Sequence, residues 1–411
     1  MKKIYYITAV FATLFLVGCG DGIDLPGVNV ETDLNKIPLP DNNVNLEQVE
    51  LKPSTEPMLH EGLHTEEDFQ RIRDKKAAGE EPWISAYQLL VESQFSQKTA
   101  DTYPTEWIKR GISGDENYMN AARGATIVYQ QALRWKIEQD DEYAAKAVEN
   151  LNKWVQTCVG VTGNTNLSLA AGLYGYEFAI AGELLRDYGG WDRADFAAFQ
   201  NWLLKVFYPA NDDFLKRHHD TNALHYWANW CLCNIAAKMA IGIVTDRRDI
   251  YNEGIAHLQT GDTNGRLRRA IYHDYAPDYN FAQWQESGRD QGHTLMCVGL
   301  MGIICQLAWS QGDDFFAYDD NLFLRACEYA ACCNYTNETV PYTTYIWQKQ
   351  SQWGYPIPEE QTTLGGGKWI KRAIWALPYY HYKGIKNISD DNLKYTCLLY
   401  TSPSPRDRTR S

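Results

Sequence analysis

The amino-acid sequence predicts an all-α fold, an incomplete α/α toroid built from antiparallel helical hairpins. Apolar residues recur at helical spacing along most of the 411-residue chain, and no convincing run of alternating apolar and polar residues predicts a strand. The links between helical segments are short, which favours antiparallel neighbours. There is no strict repeat of about 34 residues, so an open solenoid is disfavoured. Closing the hairpins into a toroid buries the inward-facing apolar side of every helix.

Both ends of the chain lie outside this predicted domain. Residues 1–18 combine two lysines with an apolar run that stops at "LVGC", the pattern of a bacterial lipoprotein signal peptide, so Cys19 is expected to become the lipidated N-terminus. A plain secretory signal or a short membrane helix is the alternative. Residues 19–57 are polar and rich in Pro and Asn, which predicts a flexible tether. The domain should therefore be lipid-anchored in the bacterial envelope, at the periplasmic face or the cell surface of the outer membrane.

The folded domain is expected at residues 58–396, followed by a tail. Residues 397–411 have two prolines, a basic finish and no helical period, which indicates a segment foreign to the protein; a natural disordered tail is the alternative. Nine cysteines follow Cys19, mostly inside apolar helical segments and without a CxxC pair. This pattern favours buried free thiols over a zinc site or a disulfide framework.

The helices are predicted in order along this domain. The first begins at Thr65, with Asp68 three residues on as a variant of the capping box. Residues 117–158 predict two helices that separate near Asp140. The next two segments are "NLSLAAGLYGYEFAIAGELLRDYGGW", followed by "DRADFAAFQNWLLKVFYP", which is expected to stop at Pro209.

Four more helical segments complete the series. Residues 221–259 predict a long helix and a second one after Asp246. A strongly apolar helix follows in "GHTLMCVGLMGIICQLAW". The last two segments are "NLFLRACEYAACCNY" and "KWIKRAIWALPYYHYKG". The predicted helices are enough to form the successive hairpins that a toroid requires.

Candidate functional residues concentrate first in "HHDTNALHYWANW", which ends at Trp230. At helical spacing Asn222, His225 and Asn229 fall on neighbouring turns of one face. Three polar groups on one face of an apolar helix are costly to bury unless they are paired or functional. The alternative is a satisfied core histidine, with Asn222 as a helix cap.

The second concentration is "RLRRAIYHDYAPDYNFAQWQESGRDQGH", in a chain whose formal net charge is −13. Basic residues gathered beside tyrosines in an acidic protein point to a polyanionic ligand. Gln285, Glu286, Arg289 and His293 are expected on a loop and on the first turn of the next helix, whose N-terminus itself favours an anion. The alternative is that the arginines pair with surface carboxylates.

These segments resemble the alginate lyase superfamily of polysaccharide lyases. The resemblance rests on "HYWANWCLCNIAAKMAIGIVTDRRDIYNEG", then "RAIYHDYA", then "QESGRDQGHT", and it is nearest to polysaccharide lyase family 38 and more distant to family 5. It implies an α/α toroid that cleaves a polyuronate, such as alginate, polymannuronate or glucuronan, by β-elimination. It also implies that Tyr272 is the catalytic tyrosine, His225 the catalytic histidine, and Asn222 or Asn229 the asparagine that neutralises the substrate carboxylate.

The resemblance further implies a catalytic arginine before the tyrosine, either Arg266 or Arg268. A free tyrosine has a pKa of about 10, and an arginine within a few ångströms would lower it. Tyr272 would then take the C5 proton and protonate the leaving oxygen, if both lie on one face of the sugar. If they lie on opposite faces, His225 becomes the base and Tyr272 the acid. Two tyrosines close in sequence, Tyr275 and Tyr279, compete for the role.

The remaining expectations concern ligands and partners. The substrate-binding set is expected to be Asn229, Trp230, Arg268, Gln285, Arg289 and His293. Neither a metal nor another cofactor is expected, because the histidines lack ligand spacing and HExxH is absent. The expected partner is an anionic polysaccharide and not a nucleic acid, and the protein should be a monomer.

Two other functions compete with the lyase. A glycoside hydrolase on a similar barrel would need two carboxylates about 5–10 Å apart, for which Glu286 with Asp220 or Asp274 is available. A non-enzymatic glycan-binding lipoprotein would carry its aromatic residues on a flat surface, without a buried cluster of tyrosine, arginine and histidine.

Overall fold

The computed structural model describes residues 57–401, with side chains as far as Cys397. The expected signal peptide, Cys19 and nearly all of the expected tether therefore lie outside the described residues, as do residues 402–411. The predicted domain, 58–396, lies within them.

Helices make up most of the described chain. They are α1 (Glu66–Ala77), α2 (Trp83–Glu92), α3 (Tyr118–Glu138), α4 (Asp141–Thr157), α5 (Leu167–Leu184), α6 (Arg193–Val206), α7 (Tyr208–Arg217), α8 (Ala228–Val244), α9 (Arg248–Thr260), α10 (Leu267–Ala270), α11 (Gln291–Ser310), α12 (Tyr318–Tyr335), α13 (Ala376–Tyr380) and α14 (Lys394–Thr401). The strands are β1 (Trp107–Arg110), β2 (Gly160–Gly163), β3 (Ile271–Asp274), β4 (Ala282–Trp284), β5 (Tyr345–Gln350) and β6 (Pro356–Gln361). The all-α fold class is confirmed.

The long helices form an inner and an outer layer. Helices α3, α5, α8 and α11 pack side by side in that order, and α8 is buried along its whole length. The outer helices α4, α6 and α9 bury one face each. The one charged side chain of α8, Lys238, reaches outward to Asp212, with 2.8 Å from Nζ to Oδ1. This alternation of inner and outer helices is that of an α/α toroid.

Local sequence signals explain several helix ends. The Thr65 hydroxyl accepts from the Asp68 N–H while the Asp68 carboxylate accepts from the Thr65 N–H, which confirms the capping box. Between α3 and α4, Gln139 adopts a left-handed conformation and the Asp140 side chain caps α4, as the predicted break requires. The nine described cysteines are thiols outside any disulfide, and all but Cys397 are buried, as predicted. Helix α11 is apolar and long enough to span a membrane, but it is about nine-tenths buried inside the protein.

Three expectations about secondary structure were wrong. Pro209 does not stop a helix but lies in the first turn of α7, where a missing N–H removes no intrahelical bond. The segment before Ala376 is not helical, and α13 is short. The strands form three two-stranded sheets, in which β1 pairs in parallel with β2, and the β3–β4 and β5–β6 pairs are antiparallel. Most of these strands are too short for alternation to be recognised in the sequence.

The strands gather the functional loops at one end of the toroid. Each outer helix runs back antiparallel to the inner helix before it, so the inner helices are parallel to one another and their N-termini lie at the same end. The β1–β2 sheet joins the segments that precede α3 and α5, and the β3–β4 sheet leads into α11. The partial positive charge of several helix N-termini therefore faces this end.

Candidate active site

The segment that precedes α8 is a turn and not a helix. The Asn222 side-chain oxygen accepts from the Leu224 N–H at 3.0 Å, and its carbonyl accepts from the His225 N–H at 3.0 Å. Asn222 thus supplies its own turn, as asparagine side chains commonly do. The helix begins only at Ala228. The expectation that Asn222, His225 and Asn229 share one helical face is therefore wrong, although the segment does approach the candidate site.

The β5–β6 hairpin holds this turn in place. Asn222 Nδ2 donates to Gln350 Oε1 at 2.9 Å, and the Gln350 N–H donates to His225 Nδ1 at 2.8 Å. The Trp347 indole N–H donates to the His225 carbonyl at 2.7 Å. The Trp347 ring is stacked on His225, with centroids 6.0 Å apart, and on Trp227, at 4.6 Å. The His225 imidazole is thereby fixed by both a hydrogen bond and a stack.

The hydrogen bond defines the tautomer of His225. Burial, with a smaller contribution from Lys349, lowers the pKa of His225 to about 4, so the ring is neutral at neutral pH. Because Nδ1 accepts from Gln350, the ring proton is assigned to Nε2. Within residues 57–401, Nε2 has no hydrogen-bond partner. His225 therefore offers a free N–H donor rather than a free basic nitrogen.

Tyr272 lies on β3 and is linked to His225 through β5. Its ring contacts that of Tyr345, with centroids 5.0 Å apart. Tyr345 and Trp347 are two positions apart on β5, so they share one face about 7 Å from each other. To residues of the described chain, the Tyr272 hydroxyl makes no hydrogen bond. It is therefore available to a substrate.

The competing tyrosines are placed less suitably. The Tyr275 hydroxyl donates to Gln283 Oε1 at 2.5 Å and is 3.1 Å from Thr343 Oγ1. Tyr279 is 54% exposed on the surface. The geometry therefore favours Tyr272 over both of them.

The arginines that precede Tyr272 do not activate it. Burial raises the pKa of Tyr272, and no arginine opposes the rise. Arg268 forms an ion pair with Asp319. Burial raises the pKa of Tyr318, and the positive charges of Arg268 and Arg266 oppose that rise. The chain changes from the helical turn α10 to strand β3 between these residues, so closeness in sequence does not bring the arginines to the phenol. The expected pairing of Arg266 or Arg268 with Tyr272 is thus corrected.

A buried carboxylate organises the donors on the other side of the site. Glu286 is fully buried, and its Oε1 accepts from the Asn229 backbone N–H at 3.1 Å and from Asn229 Nδ2 at 2.5 Å. Its other oxygen lies 3.4 Å from Arg289 Nη1. The Arg289 guanidinium lies over the Trp227 ring, 5.3 Å from the centroid, and its side chain is 21% exposed. Glu286 therefore fixes the guanidinium at the edge of the site.

Two predicted substrate-binding residues support the scaffold. Gln285 Oε1 accepts from the Ala228 N–H at 3.0 Å, at the start of α8. His293 is held by Asp290, with 2.5 Å between Nδ1 and Oδ2. Although burial alone would raise it, the hydrogen bond from His293 keeps the pKa of Asp290 below its ordinary value. Both predicted residues are buried, and both hold the loop that carries Arg289.

Trp230 also differs from its expected role. Its ring packs against Tyr226, at 4.7 Å between centroids, and against Phe214, at 6.0 Å. Only 8% of the residue is exposed, so it belongs to the core and does not offer a face to a sugar. Its position two residues into α8 turns it toward α7 instead of toward the hairpin.

The carboxylates required by the hydrolase alternative are all engaged. Glu286 is sealed from solvent and holds Asn229. Asp274 forms an ion pair with Arg325, at 2.7 Å. Asp220 forms one with Arg217, at 2.8 Å. All three already have partners within the described chain, which disfavours them as the acid and base of a hydrolase.

Sequence reasoning missed several residues at this end of the toroid. Tyr345 and Trp347 alternate in "YTTYIWQKQ", a strand period that was overlooked because it is short. Arg372 is within electrostatic reach of Asp290 and Cys297 at the start of α11, but its segment was expected to be helical. A fourth residue, Arg110, has no neighbouring motif to reveal it. In residues 57–401 no group of three or more His, Cys, Asp or Glu side chains is arranged to hold a metal ion.

The family model described as alginate lyase matches residues 73–338, well over half of the chain. The chain belongs to the alginate lyase family, and it is a polysaccharide lyase. A family of this kind implies an anionic polysaccharide as the substrate.

Solved structures with the same fold support this assignment. An alginate lyase from Bacteroides ovatus is 13% identical, with a TM-score of 0.53 over 84% of this chain and 96% of that chain. A substituted form of alginate lyase A1-III complexed with a tetrasaccharide is 14% identical, with a TM-score of 0.50 over 70% of this chain and 79% of that chain. At these identities the similarity shows the fold alone, which confirms the predicted α/α toroid. The comparison with curated proteins found no match.

Proposed function

We propose that this lyase cleaves a polyuronate, either alginate (including polymannuronate) or glucuronan, by β-elimination, with Tyr272 as the residue that transfers the proton. One observation carries the proposal: the Tyr272 hydroxyl has no hydrogen bond to the described chain, and β5 links it to the neutral donor His225. The Tyr272 hydroxyl and the His225 Nε2–H both lie beside one face of β5, so a single sugar unit can contact both groups.

The carboxylate of the substrate is assigned to His225 and Arg289. Elimination removes the C5 proton of the uronate, and the negative charge spreads into the carboxylate as the enolate-like intermediate forms. The Nε2–H of His225 and the guanidinium of Arg289 are donors that stabilise this charge. Removing one such donor typically raises the barrier by about 3–4 kcal/mol.

The asparagines take positioning roles in this proposal. The Asn222 amide donates to Gln350 and to the Gln348 carbonyl, and the Asn229 amide donates to Glu286. Asn222 uses both of its amide hydrogens in these bonds, and Asn229 is fully buried. Asn222 holds the hairpin that fixes His225, and Asn229 holds the carboxylate that fixes Arg289.

Tyr272 then completes the elimination. As phenolate it accepts the C5 proton, and as phenol it returns that proton to the 4-O glycosidic oxygen as the C4–O bond breaks. The product carries a new C4–C5 double bond at its non-reducing end. One residue performs both steps when the proton and the leaving oxygen lie on the same face of the sugar.

Ultraviolet absorbance of the new double bond tests the proposal. The protein would be incubated with polymannuronate, polyguluronate and glucuronan, alongside Tyr272→Phe and the matched control Tyr275→Phe. We expect absorbance with at least one polymer, lost in Tyr272→Phe and kept in Tyr275→Phe. Absorbance that survives in Tyr272→Phe would refute the assigned residue. New reducing ends without absorbance would refute the elimination and favour hydrolysis.

The envelope location is a separate proposal that rests on the sequence at Cys19. Two or more acyl chains on that cysteine would hold the enzyme at a membrane surface. Metabolic labelling with a radioactive fatty acid should mark the full chain and fail to mark Cys19→Ser. A labelled Cys19→Ser variant, or an unlabelled parent, would contradict it.

A further inference from the structure

Arg110 is a buried cation without an anionic partner. It is the last residue of β1 and is only 6% exposed. Its Nη1 is inaccessible to water and has no hydrogen-bond partner. Across residues 57–401, no carboxylate forms an ion pair with Arg110. An unpaired buried charge is costly, and proteins normally avoid it.

Three other buried arginines of the described chain show the usual solution. Arg134, Arg186 and Arg325 are 6–8% exposed, like Arg110. Each forms an ion pair with a carboxylate: Arg134 with Glu138, Arg186 with Glu183, and Arg325 with Asp274. Arg110 departs from this pattern at the end of the toroid where the candidate site lies.

Two aromatic rings orient the Arg110 guanidinium. Its central carbon lies 4.7 Å from the centroid of the Tyr118 ring, and Tyr118 is stacked on Tyr174, at 6.4 Å and 11°. The backbone below is fixed by Gly163, which pairs with Arg110 across the sheet and has a φ of +143°. A Cβ on Gly163 would lie 1.7 Å from the Arg110 carbonyl oxygen, so only glycine allows this approach.

Residues in the N-terminal halves of the inner helices link Arg110 toward the candidate site. Burial raises the pKa of Tyr174 on α5 and of Cys233 on α8, and the positive charge of Arg110 opposes both rises. Cys297 of α11 is within electrostatic range of both Cys233 and Arg289, which both affect its pKa. The guanidinium therefore lies against α5, through Tyr118 and Tyr174, at the end of the toroid that also carries Arg289.

We infer that Arg110 binds the carboxylate of a second uronate residue, one that is not cleaved, in the same polymer. This inference rests on the proposed function, because it assumes a polyuronate in the cleft. A polymer with a carboxylate on every sugar can supply an anion to Arg110 and to the pair His225–Arg289 together. The bound carboxylate would give Arg110 the counter-ion that the chain itself does not provide.

Steady-state kinetics on the most reactive polymer test the inference. The variants are Arg110→Gln, which removes the charge, and Arg110→Lys, which keeps it, with Arg123→Gln as the matched control. Arg123 is an exposed arginine on the neighbouring helix α3. We expect Arg110→Gln to raise KM about tenfold or more, as the loss of a charge-assisted hydrogen bond predicts. The kcat and the pH profile should change little, Arg110→Lys should recover part of the KM, and Arg123→Gln should match the parent.

Binding without turnover separates this inference from the proposed function. Calorimetry would measure the affinity of a uronate tetrasaccharide for Tyr272→Phe and for the double variant Tyr272→Phe/Arg110→Gln. Weaker binding by the double variant supports the subsite, even if the parent proves not to be a lyase. Equal affinities, or a lowered Tm with an unchanged KM in Arg110→Gln, would overturn it and make Arg110 structural. If Arg110→Gln fails to fold, an Arg110→Lys variant that folds and has the parent KM and affinity would also overturn it.

Discussion

The buried arginines at the two ends of the toroid differ in whether they form ion pairs. At the end that carries the C-termini of α5 and α8, a cavity of about 150 Å³ is lined by residues that include His60, His64 and Glu183. Arg186 at this end pairs with Glu183 and Asp246, and His60 bonds Asp246. At the N-terminal end, Arg110 is unpaired and the Tyr272 hydroxyl is free of bonds to the described chain.

This difference teaches that a cavity alone does not locate the site. The buried His64 at the cavity has a pKa lowered to about 4 by burial, so it is neutral and needs no counter-ion. Paired charges stabilise the fold but have nothing left to offer a substrate. An unpaired buried charge is a cost to folding that a polyanion can relieve, which supports the end with Arg110 and Tyr272 as the candidate site.

The largest effect on stability is expected at the paired end. Arg186→Gln would leave Glu183 buried without its partner, and breaking a buried pair typically costs about 3–5 kcal/mol. Chemical denaturation should show this loss, while kcat of the folded fraction stays at the parental value. A kcat that falls in proportion to stability would remove the distinction between the two ends.

The largest effect on activity, after Tyr272 itself, is expected at Glu286. Glu286→Gln keeps the shape but loses the negative charge that holds Arg289, so a donor to the transition state is misplaced. We expect kcat to fall by about 10²–10³-fold, the range seen for the loss of one such donor. Glu183→Gln is the control, because its ion pair with Arg186 lies at the opposite end of the toroid. Equal losses in both variants would show a general effect on the fold.

A smaller effect is expected in the hairpin. Trp347→Phe keeps an aromatic ring but loses the hydrogen bond to the His225 carbonyl and part of the stack. We expect kcat/KM to fall about 5–20-fold, since a neutral hydrogen bond is worth about 1 kcal/mol and the stack a similar amount. Trp353→Phe, at the exposed turn between the strands, is the control for a general change in the hairpin. A parental rate in Trp347→Phe would show that the turn holds His225 without it.

The smallest effect is a dependence of stability on acid. Burial would raise the pKa of Asp290, but its hydrogen bond to His293 lowers it. A carboxyl group whose pKa is lower in the folded state than in the unfolded state stabilises the fold at pH values above its unfolded-state pKa. That contribution is lost as the pH falls through the folded-state pKa. Between pH 6 and pH 3 the parent should therefore lose slightly more Tm than Asp290→Asn. Identical losses would show that Asp290 contributes nothing.

Much of the fold follows from helical periodicity and helix-capping signals. The break at Asp140, the capping box at Thr65 and the buried apolar helices were all predictable, because they depend on neighbours within a few positions. The turn at Asn222 was not predictable in this way, since its side chain competes with the helix that the apolar period favours.

The site itself depends on contacts between distant segments. His225 was predicted, but its tautomer comes from Gln350, 125 positions away. Arg266 and Arg268 looked suited to activate Tyr272, and the change from helical turn to strand directs them elsewhere. The unpaired state of Arg110 is a property of the folded chain, because it requires that no carboxylate of another segment reaches it.

The pH dependence of kcat/KM tests the central claim most directly, because it reports the pKa values of the free enzyme. Burial places the pKa of Tyr272 above its ordinary value of about 10. If its phenolate is the base, kcat/KM should rise about tenfold per pH unit between about pH 6 and 9. A profile that rises near pH 4 and is flat from about pH 5 to 9 would contradict this account and make His225 the base, with Tyr272 as the acid.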